Sequence, residues 1–201
     1  MSDIDSIIPQ SHTVELFGQT HELNFTFRHL AAVQKKFGVS PFELCQGLVN
    51  GDIPTIVMAL WGGTLVFGKF DVADPLKIRQ EIDAEKLYSL PNSELIGVIT
   101  PVLSAVFAAM PKKNEELADE EEDDKKPAKS KNGGFLEKCY WSWVFYLATV
   151  IMNLTEAAFW LSTPRKLDAL TTQHGVANGV LETKEAQVAR EIENVNKFMG
   201  M

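Results

Sequence analysis

The sequence predicts an α+β, mainly α-helical fold: a small N-terminal β-hairpin packed on a helical bundle, a disordered charged linker, and C-terminal helices. Three observations predict it. Val14, Leu16, Leu23 and Phe25 alternate with Thr13, Glu15, Glu22 and Asn24, which is the period of a strand with one wet face. Several later stretches carry apolar residues at helical spacing behind Ser, Asp or Thr start signals. Between Pro111 and Gly134 the chain has almost nothing apolar to bury.

His12 to Phe17 and Thr20 to Phe25 read as two strands around a turn at Gly18-Gln19. A lone hairpin is marginal in water, so this one must lean on the helices that follow. Phe27 to Phe37 reads as the first helix, with Gly38 placed for a left-handed C-terminal cap. Ser40-Pro41-Phe42-Glu43 is a capping box with proline at the first helical position, and it opens a helix that Asn50-Gly51 ends. Asp52-Ile53-Pro54 repeats the start signal, and Ile53, Ile56, Val57, Leu60 and Trp61 then form one stripe. Gly62-Gly63 either loosens the end of that helix or allows a close backbone approach. Asp74-Pro75 predicts another helix, ending near Asp83. Asn92 to Met110 reads as a strong helix, apolar over most of its circumference, with a kink expected at Pro101.

The run Asp119 to Asp124 is wholly acidic, Lys125 to Lys131 is lysine-rich, and Gly133-Gly134 closes the segment. Such a stretch cannot offset its own ordering entropy. The expected organisation is therefore a hairpin-plus-helical domain over 1–110, a tether over 111–134 and a helical segment over 135–201. In that last segment, Phe135 to Leu161 is the most apolar part of the chain. Its polar residues Lys138, Ser142, Thr149, Asn153 and Glu156 fall on one thin line of a single continuous helix. Its uncharged window sits at the low limit for a membrane span, so a centrally packed or partner-facing helix is the better reading. Thr163-Pro164 caps a helix from Arg165 to about His174, with Gly175 as its stop. Glu182 to Met199 reads as a last helix carrying Val188, Ile192, Val195 and Met199 at helical spacing.

The net charge is −8, and the tether contributes only −2 of it. The folded parts are therefore acidic, which argues against a nucleic-acid backbone as partner. Cys45 and Cys139 lie in apolar surroundings with no CxxC, the pattern of a reducing compartment with both thiols in the core. No basic, then apolar, leader opens the sequence.

The motifs of chemistry are not found. His12, His21, His29 and His174 show no metal-ligand spacing, although His12 and His21 could face each other across the hairpin. No P-loop, dinucleotide fingerprint or nucleophile elbow is present, and the acids crowd the tether, where nothing fixes their geometry. The expectation is a protein that is not an enzyme and that uses no cofactor or metal. What remains is apolar surface: 12 phenylalanines and 4 tryptophans are abundant for a chain with such an insert, and a small helical domain buries only part of its surface. Large apolar side chains that could anchor a partner are Trp61, Phe67, Trp141, Trp143, Phe159 and Trp160. Burial in the chain's own core is the competing reading for each, and it is the favoured one for Trp61.

The stretch Leu23 to Leu44, followed by Asp52 to Leu65, resembles the N-terminal part of phage tail assembly chaperones, including their relatives in gene transfer agents. Shared features are a hairpin, a helix ending in Phe37-Gly38, a Ser40-capped helix and an apolar helix after Asn50-Gly51-Asp52. Glu156-Ala157-Ala158-Phe159-Trp160-Leu161-Ser162-Thr163-Pro164-Arg165-Lys166-Leu167 is similar to a signature found late in the longer chaperone product. The resemblance implies a non-virion factor of the host cytoplasm. It would bind the tape measure protein, shield its apolar helices and recruit tail tube subunits, with self-association a further option. It also implies that the long form can arise by frameshifting, with Lys112-Lys113 or Lys125-Lys126 over the slippery site. The aromatic run Cys139 to Tyr146 departs from the family pattern. Two other classes stay open at this point: a membrane-associated adaptor anchored by residues 139–161, and a structural tail component.

Overall fold

In the computed structural model the chain is described over residues 12–111 and 141–179. The expectations for the N-terminal residues 1–11, the tether, Cys139 and the Glu182–Met199 helix fall outside those residues. The fold is α+β and mainly helical, with a small hairpin at its start.

Strands β1 (His12–Leu16) and β2 (Gln19–Leu23) pair antiparallel, with Leu16 opposite Gln19. The turn is Phe17-Gly18, one residue earlier than the sequence suggested. Both residues have positive φ, 53° and 73°, as a two-residue turn matched to strand twist requires. The register also sets Val14 opposite His21 and His12 opposite Leu23, so the two histidines sit on a diagonal rather than face to face. Val14, Leu16 and Leu23 turn inward and are buried.

Helix α1 (Phe27–Phe37) ends on Gly38 at φ 74°, the left-handed cap its sequence called for. Helix α2 (Pro41–Val49) starts with the expected capping box, Glu43 N–H donating to Ser40 Oγ and Ser40 N–H donating to Glu43 Oε2. Asp52 caps helix α3 (Ile53–Gly63), accepting from the Thr55 N–H. The helix is buried on nearly every side, and Gly62 and Gly63 provide a close approach. A Cβ at Gly62 would overlap Val33 of α1, and one at Gly63 would press on the Phe25 ring.

The helix expected from Asp74-Pro75 to Asp83 is not formed. Instead a turn leads into strand β4 (Ile78–Gln80), which pairs antiparallel with β3 (Val66–Phe67). The turn is built by Asp71, whose side chain accepts from the Ala73 N–H and whose carbonyl accepts from the Asp74 N–H. Asp74 and Pro75 thus close a turn, which is the second use of that residue pair. Helix α4 (Ala84–Tyr88) follows, then α5 (Asn92–Ala109), which runs through Pro101. The carbonyl that loses its partner there belongs to Gly97, an exposed residue that water can reach. Leu95, Val102, Ala105, Val106 and Ala109 form the buried side of α5.

The second half departs most from expectation. The single helix over 135–161 is broken where it is described: α6 (Trp141–Tyr146) continues as a π-helical turn over Leu147–Ile151, and the chain then kinks. Asn153 takes φ 53°, and Thr155 caps a new helix, α7 (Glu156–Leu161), by accepting from the Ala158 N–H. The Thr149 hydroxyl donates to the Phe145 carbonyl inside the π turn, a contact that bends helices. No single helix therefore extends over 141–161. Among the described residues one helix, α5, has the length and apolarity to cross a membrane, and it is packed against α2, α3, β1 and the last helix. That last helix, α8 (Pro164–Ala177), is capped by Thr163 as expected but runs through Gly175, stopping at Asn178-Gly179.

Two cores result. The larger draws on β1, β2 and α1 to α5. The smaller joins Val144, Ala148, Phe159 and Leu167 of the second half to one residue of the first, Phe27.

Candidate partner-binding surface

The six aromatic candidates separate into interior, rim and surface. Trp61 (1 % exposed) belongs to the first core. Its ring meets Phe37 edge-on and lies under the Lys36 ammonium, 4.2 Å from the ring centre. Its indole N–H donates to Glu81 Oε2, which also pairs with Lys36 at 3.4 Å. Such a tryptophan is a structural anchor, and in this conformation no partner can reach it. Phe159 (0 % exposed) is likewise interior, stacked on Phe27 with ring centres 4.7 Å apart.

Phe67 is half-buried and covers two polar side chains that the sequence reading passed over. The Arg28 guanidinium lies 4.3 Å from its ring centre, and the His29 ring meets it edge-on at 4.9 Å. Arg28 donates through Nε to the Pro75 carbonyl at 2.7 Å and through Nη1 to Gly68, so it holds the β3–β4 loop against α1. Burial lowers the Arg28 pKa and the Asp74 charge opposes that shift. The buried His29 has its pKa pushed down to about 4, chiefly by desolvation; a backbone hydrogen bond with Leu65 opposes this and the Arg28 charge adds to it. Neutral His29 accepts the Thr26 backbone N–H at Nδ1, taking the place a glutamate fills in the usual capping box. Phe67 is thus the lid of an internal cluster.

Trp141 and Trp160 are half-buried and sit on the rim of the second core. Trp141 meets Phe27 edge-on at 5.8 Å, and its indole N–H donates to Gln34 Oε1 of α1. Trp160 packs on Phe159 at 5.0 Å and donates to Glu156 Oε1. Phe145, absent from the candidates, completes the wall by meeting Phe159 edge-on at 5.2 Å. Together these rings form a socket around Phe27.

Trp143 alone of the six is at the surface, 56 % exposed. It stacks on exposed Tyr146 with ring centres 5.7 Å apart. Val150 and Ile151 are also exposed, so residues 143–151 carry apolar side chains outward while Val144 and Ala148 fill the inward side, and Leu161 of α7 is a further exposed apolar side chain. The polar line expected along this segment does not separate the two. The π turn helps here, because widening the helix by a residue carries Val150 and Ile151 out together.

Cys45 is half-buried, and burial raises its thiol to about 11. Among the described residues no group of three or more His, Cys, Asp or Glu side chains could hold a metal ion. The sequence could have pointed to Arg165, since a base just inside a Thr-Pro start can reach another helix end. It donates through Nε to the Met110 carbonyl at 3.0 Å and through Nη2 to Phe107, satisfying the C-terminal carbonyls of α5.

No family model, no curated protein and no solved structure matches this chain.

Proposed function

We propose that the protein is a non-catalytic tail assembly chaperone, acting in the host cytoplasm, which holds the tape measure protein and brings tail tube subunits to it. The observation that carries this reading is the outward apolar face of residues 143–151: Trp143, Tyr146, Val150 and Ile151, with Leu161 a further such side chain, all exposed on an acidic chain. An apolar stripe with aromatic anchors is what a protein needs to cover the apolar face of another protein's helix. Trp143 and Tyr146 are the anchors in this arrangement. Trp141 and Trp160 hold the segment in place from behind, and Trp61 and Phe159 support from the two cores. The sequence resemblance of Leu23 to Leu65 and of Glu156 to Leu167 to the chaperone family supplies the identity of the partners.

Co-expression with a tape measure protein, followed by capture of the tagged full chain, tests the reading. The expected result is co-purification of that protein, reduced at least tenfold by Trp143→Ser combined with Val150→Asp. Both side chains face solvent, so the melting temperature of the variant stays within a few degrees. Undiminished capture by the double variant, or no capture by the unaltered chain, rejects it.

A further inference from the structure

We infer that the aromatic socket of the second half is an exchangeable clasp, and that its other occupant is Phe27 of a second copy of this chain. The second core takes a single buried side chain from the first half, with Phe27 stacked on Phe159 and met edge-on by Trp141 while Phe145 backs Phe159. Few polar contacts accompany it. The Phe27 N–H donates to the Ser162 carbonyl at 2.9 Å, Trp141 donates to Gln34, and Arg165 donates to the Met110 and Phe107 carbonyls. All of these partners on the first half lie on α1 or at the end of α5. The clasp is therefore a compact interface of one aromatic occupant and four hydrogen bonds.

Connectivity does not decide which copy fills it. The end of α5 lies beside the Arg165 contact, and Trp141 lies on the socket rim with residues 112–140 between them in sequence. Twenty-nine residues can span up to about 100 Å, so chain length alone does not tie the socket to its own Phe27. The intramolecular clasp is favoured only by an effective concentration on the order of millimolar. At comparable concentrations, or where several copies line one long partner, the same contacts form between copies. Reciprocal exchange gives a two-fold dimer without a new interface.

Two full-length variants test this. Phe27→Ala keeps every residue of the socket but leaves it empty until the Phe27 of another chain closes it, and Phe159→Ala keeps Phe27 but has lost the socket floor. Each alone is expected to stay monomeric by light scattering at about 1 mM, the concentration at which the tether's advantage is matched. A one-to-one mixture is expected to yield a heterodimer, because the socket of the first accepts Phe27 of the second. Monomers only in the mixture, with both variants retaining the thermal transition of the first half, overturn the proposal. If either variant loses that transition, isotopically heavy and light unaltered chains are mixed at the same concentration and cross-linked through lysines. Heavy–light links between Lys36 and Lys166 support exchange, and like-with-like links alone overturn it.

Discussion

At the residue scale, His29 makes the fold sensitive to acid. Its pKa is about 4 in the folded chain and about 6.5 when unfolded, so below 6.5 the unfolded chain binds the proton first. The stabilisation is whole above pH 6.5 and is lost as pH falls towards 4, at up to about 1.4 kcal/mol per pH unit and about 3 kcal/mol in all. Urea unfolding between pH 7 and 4 measures the slope, with His29→Gln as reference. Glutamine keeps an acceptor for the Thr26 N–H but does not titrate, so the variant's curve is expected to be flatter by that amount. Equal slopes in the two proteins would place the acid sensitivity elsewhere. Glu81 offers a second check. Its carboxylate accepts from Trp61 and pairs with Lys36, and Glu81→Ala leaves the indole N–H without a partner. A loss of about 1 kcal/mol in urea unfolding is expected, most of it from the indole hydrogen bond, because the exposed ion pair contributes little.

At the scale of elements, glycines in helices separate packing from propensity. Gly62 lets α3 approach α1 so closely that a Cβ would overlap Val33, whereas Gly97 of α5 has nothing within 4 Å of that position. Gly62→Ala is expected to destabilise by about 1–3 kcal/mol through overpacking. Gly97→Ala is expected to stabilise by up to about 1 kcal/mol through helix propensity. Thermal unfolding of the pair gives opposite shifts; shifts of the same sign would mean that α1 and α3 are not held at this distance. Those helices were also the most legible elements in the sequence. Each carries its own stop or start in Gly38, Ser40-Pro41 and Asp52, and local chemistry of that kind survives any tertiary arrangement. Asp74-Pro75 was misread because the pair serves a helix start and a turn equally well. The choice fell to Asp71 and to Arg28 reaching across from α1, which no local window contains. The break at Asn153 was hidden for a related reason. Thr155 and Asn153 looked like members of a polar line along one helix, and the sequence does not show that the segment must fold back to surround Phe27. Of the candidate surface, aromatic richness was legible, but whether each ring faces in or out was not, because the segment is apolar on both sides.

At the scale of the whole molecule, two cores with few links between them predict two levels of stability. Phe27 is the one buried side chain the second core takes from the first half, Trp141 packs against both, and Arg165 bonds the end of α5. Helix α3 is buried among many elements and α5 packs its inner side on the same core, and their core-facing amides are expected to exchange only on global unfolding. The second core contains four side chains of its own and one visitor, so α6 to α8 have fewer contacts to lose on opening. Their amides are expected to exchange through a separate, lower-energy opening in which Trp141, Trp160 and Phe27 come into water together. Phe27→Ala sharpens the distinction. Removing a buried phenylalanine costs about 3–5 kcal/mol, and here nearly all of it falls on the closed state of the second half. Native-state hydrogen exchange in low urea reads both levels at once. The expected outcome is that protection of residues 144–148 and 164–177 collapses in the variant while that of residues 56–61 changes little. A uniform loss across both sets would show a single cooperative unit, in which case the apolar faces of the two halves open only when the entire fold does.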